Sequence, residues 1–295
     1  MRITRYLLIP TIIILVWDCG YSQTGQADSL IQQLDYSTGK ERIILLHKAS
    51  IQQFTVNTEK AVQYAKEAFE LSEQLSQDSL KTHSLHKIAL AYYFRNSWSL
   101  AIDYFQQAMQ SEWGSRSDRY LAGCYTNIGI CYEYLGEYEK TSSYYFKAIE
   151  KSEKLNDTLQ TARTRLNLGL LQIRLKDHNG AIVQLNECLP VLVAADDHLN
   201  IINCYQNLMI AEGLAENWER SERNYKQAIQ LSDTIGETWK IAEVESDYAN
   251  LLQENGRYQE ARVHYDISIE FTDSAASPVN YFHTLYLIGK NAIYT

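Results

Sequence analysis

The chain has 295 residues, 45% of them hydrophobic and 21% charged, with three prolines, thirteen glycines and 22 tyrosines. That is ample material for a large core, which excludes wholesale disorder, and too little turn-forming material for a loop-rich β architecture. A formal net charge of −9, a pI near 5.3 and the lack of any Lys/Arg cluster argue against direct nucleic-acid binding and against anionic membranes as partners.

In chain order, Arg2 and Arg5 precede a twelve-residue apolar run, Tyr6 to Trp17, followed by the small residues Gly20 and Ser22. This pattern predicts a secretory signal peptide over residues 1–22, cut after Ser22. The run is too short to span a bilayer comfortably. Cys19 raises a lipoprotein alternative, against which stand Trp17 and Asp18 just before it. Removing two positive charges and one negative takes the net charge from −9 to −10. No second apolar run of spanning length follows, so the expected location is periplasmic, with no membrane span in the mature chain. The stretch "DSLIQQLDYSTGKERIILLHKAS" (28–50) then predicts a capping helix from Asp28 to about Tyr36, within a lead-in of residues 23–40. A Ser-Thr-Gly break follows, and then the first repeat helix.

From residue 41 to 295 the chain repeats itself every forty residues. The anchors Ala49, Ala89, Gly129, Gly169, Met209, Ala249 and Gly289 keep that spacing. Twelve residues after six of them come Ala61, Ala101, Thr141, Ala181, Ser221 and Ala261. Nineteen after come Ala68, Ala108, Ala148, Cys188, Ala228 and Ser268. Nine after, at the expected turn, stand Thr58, Trp98, Tyr138, His178, Trp218 and Tyr258. A period of this size is the signature of a repeat architecture, here six full repeats and a seventh first helix.

The segment "NIGICYEYLGEYEKTSSYYFKAIE" (127–150) resembles the tetratricopeptide repeat: a small residue in helix A, an aromatic at the turn, two small residues on helix B. The segment "DYANLLQENGRYQEARVHYDISIE" (247–270) is nearly as close. The resemblance implies an all-α fold, a right-handed superhelical solenoid of stacked helix-turn-helix hairpins. The family repeat is about 34 residues, and the six extra here are expected to lengthen helix B and the turn after it. A lone hairpin cannot bury its apolar faces, so each must dock on its neighbours. Small residues such as Gly129 and Ala148 let helices approach while Ile128, Tyr145 and Ile149 fill between them. Asp118, Asp157 and Asp197 read as helix caps.

Four cysteines remain beyond the signal segment. In register, Cys124, Cys131, Cys188 and Cys204 occupy small-residue helix positions, which predicts buried free thiols; Cys188–Cys204 is the pair least opposed to a disulfide. His83 and His86, with His47 on the preceding A helix, suggest a metal site in outline, but no further ligand has matching spacing, so neither metal nor cofactor is expected. GxSxG, Walker-type, HExxH and paired CxxC patterns are absent, and catalysis is not expected.

Two residues before the anchor stand Asn127, Asn167 and Asn207, then Asp247. In peptide-binding relatives of the repeat this position faces the concave groove, where an amide can both donate to and accept from a peptide backbone. The competing reading is that these amides bond neighbouring helix ends. Arg163 and Arg174 would add a basic midsection to the groove, Glu243, Asp247 and Glu254 an acidic far end, and Glu133 and Tyr134 further contacts. The carboxylate clamp of chaperone-binding relatives is not assembled around Lys87 or Arg163.

The final stretch "SPVNYFHTLYLIGKNAIYT" starts a seventh A helix whose apolar groups suggest self-association or another covering partner. The export signal, lead-in and long repeats also resemble the sensory region of bacterial membrane-bound signalling proteins, which precedes a histidine kinase or DNA-binding output. Two functions follow as expectations: a non-enzymatic scaffold for a peptide or protein segment, or a sensory segment acting through dimerisation or an output module.

Overall fold

The computed structural model describes residues 27–272. The signal segment and the seventh A helix lie outside them. The described residues form fourteen helices and no strand. A lead-in helix α1 (Ala27–Tyr36) is followed by α2 (Gly39–Gln53) and α3 (Thr58–Gln74), then α4 (Asp78–Phe94), α5 (Trp98–Gln110) and the short α6 (Glu112–Arg116). Four more hairpins follow: α7 (Asp118–Tyr134) with α8 (Tyr138–Lys154), α9 (Thr158–Arg174) with α10 (His178–Ala194), α11 (His198–Leu214) with α12 (Trp218–Thr234), and α13 (Thr238–Glu254) with α14 (Tyr258–Phe271). Two compact units divide the described chain, one through Thr164 and one from Arg165.

The forty-residue period resolves into two equal halves. Every helix from α7 to α13 has 17 residues, ~25 Å at 1.5 Å per residue, and is separated from the next by three. The extra six residues are therefore not gathered in helix B, contrary to expectation; A and B helices are equally long. The cause is a stop signal recurring every twenty residues. Ser76, Asn96, Gly136, Asn156, Lys176, Asp196, Glu216, Gly236 and Gly256 all have positive φ. After each, the next amide reaches back to close the helix end, as Glu137 N does to the Tyr132 carbonyl at 2.9 Å. This is the left-handed C-terminal cap, for which glycine is the strain-free residue. Position 116 breaks the series, because α5 ends early and α6 takes its place.

All eighteen register positions read from the sequence over the six described repeats are buried, and all but Met209 carry small side chains. Their sizes are matched to what they face. A Cβ on Gly129 would lie 2.6 Å from the Tyr145 ring, and one on Gly169 would lie 2.9 Å from Leu185. Tyr145 is fully buried and its hydroxyl donates to Glu133 Oε2 at 2.9 Å. In the α11–α12 hairpin the anchor is the larger Met209, fully buried, and the residue equivalent to Tyr145 is displaced. Tyr225 is only half-buried, stacks on Tyr248 at 4.4 Å and donates to Glu245 Oε1 at 2.6 Å.

A helices bury residues on most of their circumference, B helices along one stripe: α11 buries twelve residues, α12 three. A helices are thus an inner layer clasped by neighbours, and B helices are amphipathic covers. Of the three expected caps, Asp157 accepts from Gln160 N at 3.2 Å. Asp197 instead accepts from the Asn200 amide at 2.7 Å. Asp118 is the first helical residue of α7, capped by Ser117, and its carboxylate pairs with Lys151 at 2.5 Å. A serine one residue earlier already has the geometry to receive the amide, which leaves Asp118 for the ion pair.

Candidate functional site

The register two residues before each anchor carries His47, Lys87, Asn127, Asn167, Asn207 and Asp247. The sequence reading began the series at Asn127. Stepping the same ruler back twice would have found Lys87 and His47, which the change of residue type concealed.

In the first half, Asn127 on α7 is 2% exposed, and neither its amide nitrogen nor its amide oxygen has a hydrogen-bond partner. In the second half, Asn167 on α9 is likewise 2% exposed, its Nδ2 unpartnered, while Asn207 on α11 is half-buried. The amides are thus enclosed rather than displayed on an open wall. An unused buried polar group costs about 1–3 kcal/mol.

Around Asp247 the second half builds a polar network. Lys240 on α13 is fully buried. Its ammonium donates to Asn203 Oδ1 at 2.6 Å and pairs with Glu243 at 2.8 Å. Gln206 donates to Asp247 Oδ2 at 2.6 Å. Burial and the adjacent Glu243 charge push the Asp247 carboxyl up to about 7. Glu243 and Asp247, expected to read ligand charge, are therefore already engaged with α11 and with Lys240. A lone lysine gives no sequence signal for such burial; only its placement between α11 and α13 does.

Arg163 and Arg174 are half-buried on α9, and Glu254 is exposed at the end of α13. Tyr134 has one face stacked on Trp98 at 4.9 Å and meets Tyr93 edge-on, so much of its surface is committed to packing. The four cysteines are buried and free, with Cys188 and Cys204 sulfurs 3.6 Å apart. Among the described residues no three His, Cys, Asp or Glu side chains gather as a metal site, and no helix is long and apolar enough to cross a membrane.

Residues 120–194, spanning α7 to α10, match the tetratricopeptide-repeat family model. These hairpins are tetratricopeptide repeats. The chain is similar to the transcriptional activator NprA of Geobacillus stearothermophilus, 25% identical over 178 residues, which cover 59% of this chain and 43% of that protein. It is also similar to response regulator aspartate phosphatase I of Bacillus subtilis, 21% identical over 161 residues, 54% of this chain and 41% of that protein. The match covers less than half the length of either relative. In structure, the repeats align with a Rap protein solved in complex with competence and sporulation factor, with TM-score 0.67 and 14% identity over 92% of this chain and 81% of that one. At that identity the structural likeness speaks for the repeat fold.

Proposed function

We propose that this repeat protein is a non-catalytic recognition scaffold that binds a peptide or protein segment along its A helices. The observation that carries the reading is an enclosed, unsatisfied amide at the same repeat register in each half, Asn127 in the first and Asn167 in the second. Core packing does not call for an asparagine there, whereas an extended backbone presents the donors and acceptors that an amide lacks. Asn207, Asp247, Arg163, Arg174 and Tyr134 complete the proposed contact set. On this reading neither cofactor nor metal takes part, and the signal-like segment Met1–Ser22 directs the chain to the periplasm.

Panning the full chain against a random decapeptide phage library tests the reading. Wild type should enrich a consensus whose synthetic peptide binds saturably, and the Asn167→Ala, Asn207→Ala double variant should lose at least tenfold in affinity. Unchanged capture by the double variant, or no enrichment, would defeat it.

A second reading is supported by the relatives named as a transcriptional activator and a response regulator phosphatase. The repeats would then sense a ligand and pass its state to an output module or a second copy of the chain. Light scattering across protein concentration separates the two: a monomer at every concentration, with and without the panned peptide, removes self-association.

A further inference from the structure

In the first half, α2, α4 and α7 enclose a cavity of about 220 Å³ lined by His47, Lys48, His83, His86, Lys87 and Tyr120, with Ile44 and Ile51 as apolar wall. No carboxylate lines it. Lys87 is 7% exposed, so a cation sits inside the wall and not only at its rim.

The hydrogen-bonding capacity of this wall is lopsided toward donors. His86 is buried, and its Nδ1 lies 3.7 Å from Cys124 Sγ. Burial holds that thiol protonated, its pKa pushed up to about 12. A protonated thiol can donate to Nδ1, and in that tautomer the neutral imidazole carries its proton on Nε2. Nε2 is buried and has no partner, and the buried Tyr120 hydroxyl, beside the Cys124 sulfur, has no nitrogen or oxygen partner. His47 Nε2 lies 2.7 Å from Ser84 Oγ. Because that hydroxyl already donates to the Leu80 carbonyl, it accepts from His47.

The cavity also borders the break in the twenty-residue ruler at position 116. Because α5 stops at Gln110, α6 turns inward. Trp113 N donates to Asp78 Oδ2 at 2.6 Å, and the Trp113 ring packs against His83 at 4.8 Å and Tyr120 at 5.3 Å. An uninterrupted α5 would carry Trp113 on along the B helix, away from this contact.

Unused buried donors, an enclosed cation and an apolar wall are complementary to one chemistry. We propose that this cavity binds a small monocarboxylic acid, its carboxylate held by His86, Lys87 and Tyr120 and its apolar body set against Ile44 and Ile51. The volume suits a single ring or a short acyl chain, since ~150 Å³ already accommodates benzene. The cavity takes in the first two steps of the inner register, His47 and Lys87, while Asn127, the third, is not among its lining residues.

Calorimetric titration of the full chain with benzoate and with hexanoate provides the test. At least one acid should bind saturably, and the matching neutral probe, benzamide or hexanamide, should bind about tenfold or more weakly, as expected for losing a charge-assisted hydrogen bond. Lys87→Met should cost a similar factor with an unchanged circular dichroism spectrum, while Asn127→Ala should leave acid binding intact. If Lys87→Met does not fold, the acid-against-amide comparison on wild type decides alone. Three outcomes would overturn the proposal: no heat with either acid, equal binding of acid and amide, or retention by a folded Lys87→Met variant. Binding only of peptides with a free C-terminal carboxylate, and of no small acid, would overturn it too, marking the cavity as a chain-end anchor.

Discussion

The two halves of the described chain obey one ruler and fill it differently. Through Thr164, the inner register carries His47, Lys87 and Asn127, the ruler breaks at α6, and Tyr145 lies buried over Gly129. From Arg165 the ruler runs unbroken, the register carries Asn167, Asn207 and Asp247, and Tyr225, at the step of Tyr145, is only half-buried. Packing favours small residues where helices touch, so those positions stay nearly alike in both halves, Met209 being the exception. Inner-register positions are not restricted to small side chains, and there the halves diverge in charge and chemistry.

The largest expected effect tests the packing side of this comparison. Tyr145→Ala should cost about 3–5 kcal/mol by urea denaturation, the penalty for emptying a buried aromatic site. Tyr225→Ala, at the equivalent step of the other half, should cost about 1–2 kcal/mol, because a half-buried ring leaves a smaller void. Equal costs would break the claim that Met209 has displaced Tyr225.

Next come the buried charges. Lys240→Met removes a fully buried ammonium from Asn203 and Glu243 and should destabilise by about 3 kcal/mol, because the partners are left uncompensated. The double change Lys240→Met, Glu243→Gln should recover part of that loss, and no recovery would place the cost in packing instead.

The pH dependence should run in opposite directions in the two halves. His47 and His86 are held neutral, first by burial and then by the Lys87 and His83 charges, His47 down to about 3 from its ordinary 6.5. Their contribution to stability is present above 6.5 and is lost as the pH falls toward 3, since the unfolded chain then binds protons that the folded one refuses. Asp247, raised from 3.8 to about 7, contributes stability below 3.8 that is lost as the pH rises through 7. Asp247→Asn should flatten the decline between pH 4 and 7, and His86→Gln should flatten the acid limb; both are read from urea midpoints across pH.

The smallest expected effect lies at the helix stops. Glu216 holds a positive φ of 64°, which costs a side-chain-bearing residue energy that glycine avoids. Glu216→Gly should raise stability by about 0.5–1 kcal/mol, whereas Gly136→Glu, at φ 76°, should lower it by a similar amount.

The period, the hairpins and the eighteen contact positions could all be read from the amino-acid sequence, because close helix packing selects small side chains at a fixed interval and that selection leaves a periodic trace. The helix ends were less legible: six of the nine left-handed stops are not glycine, so nothing in residue type marked the twenty-residue half-step. Asn127, Asn167, Asn207 and Asp247 were placed on the right register. Their enclosure, the capture of Asp247 by Gln206, and the cavity beside Lys87 depend on which groups from other helices arrive next to them. Local composition records what each helix needs from its own turn, and so it settled fold class and register. Burial and partnership of a polar group depend on residues some forty positions away, and only packing in three dimensions decided those.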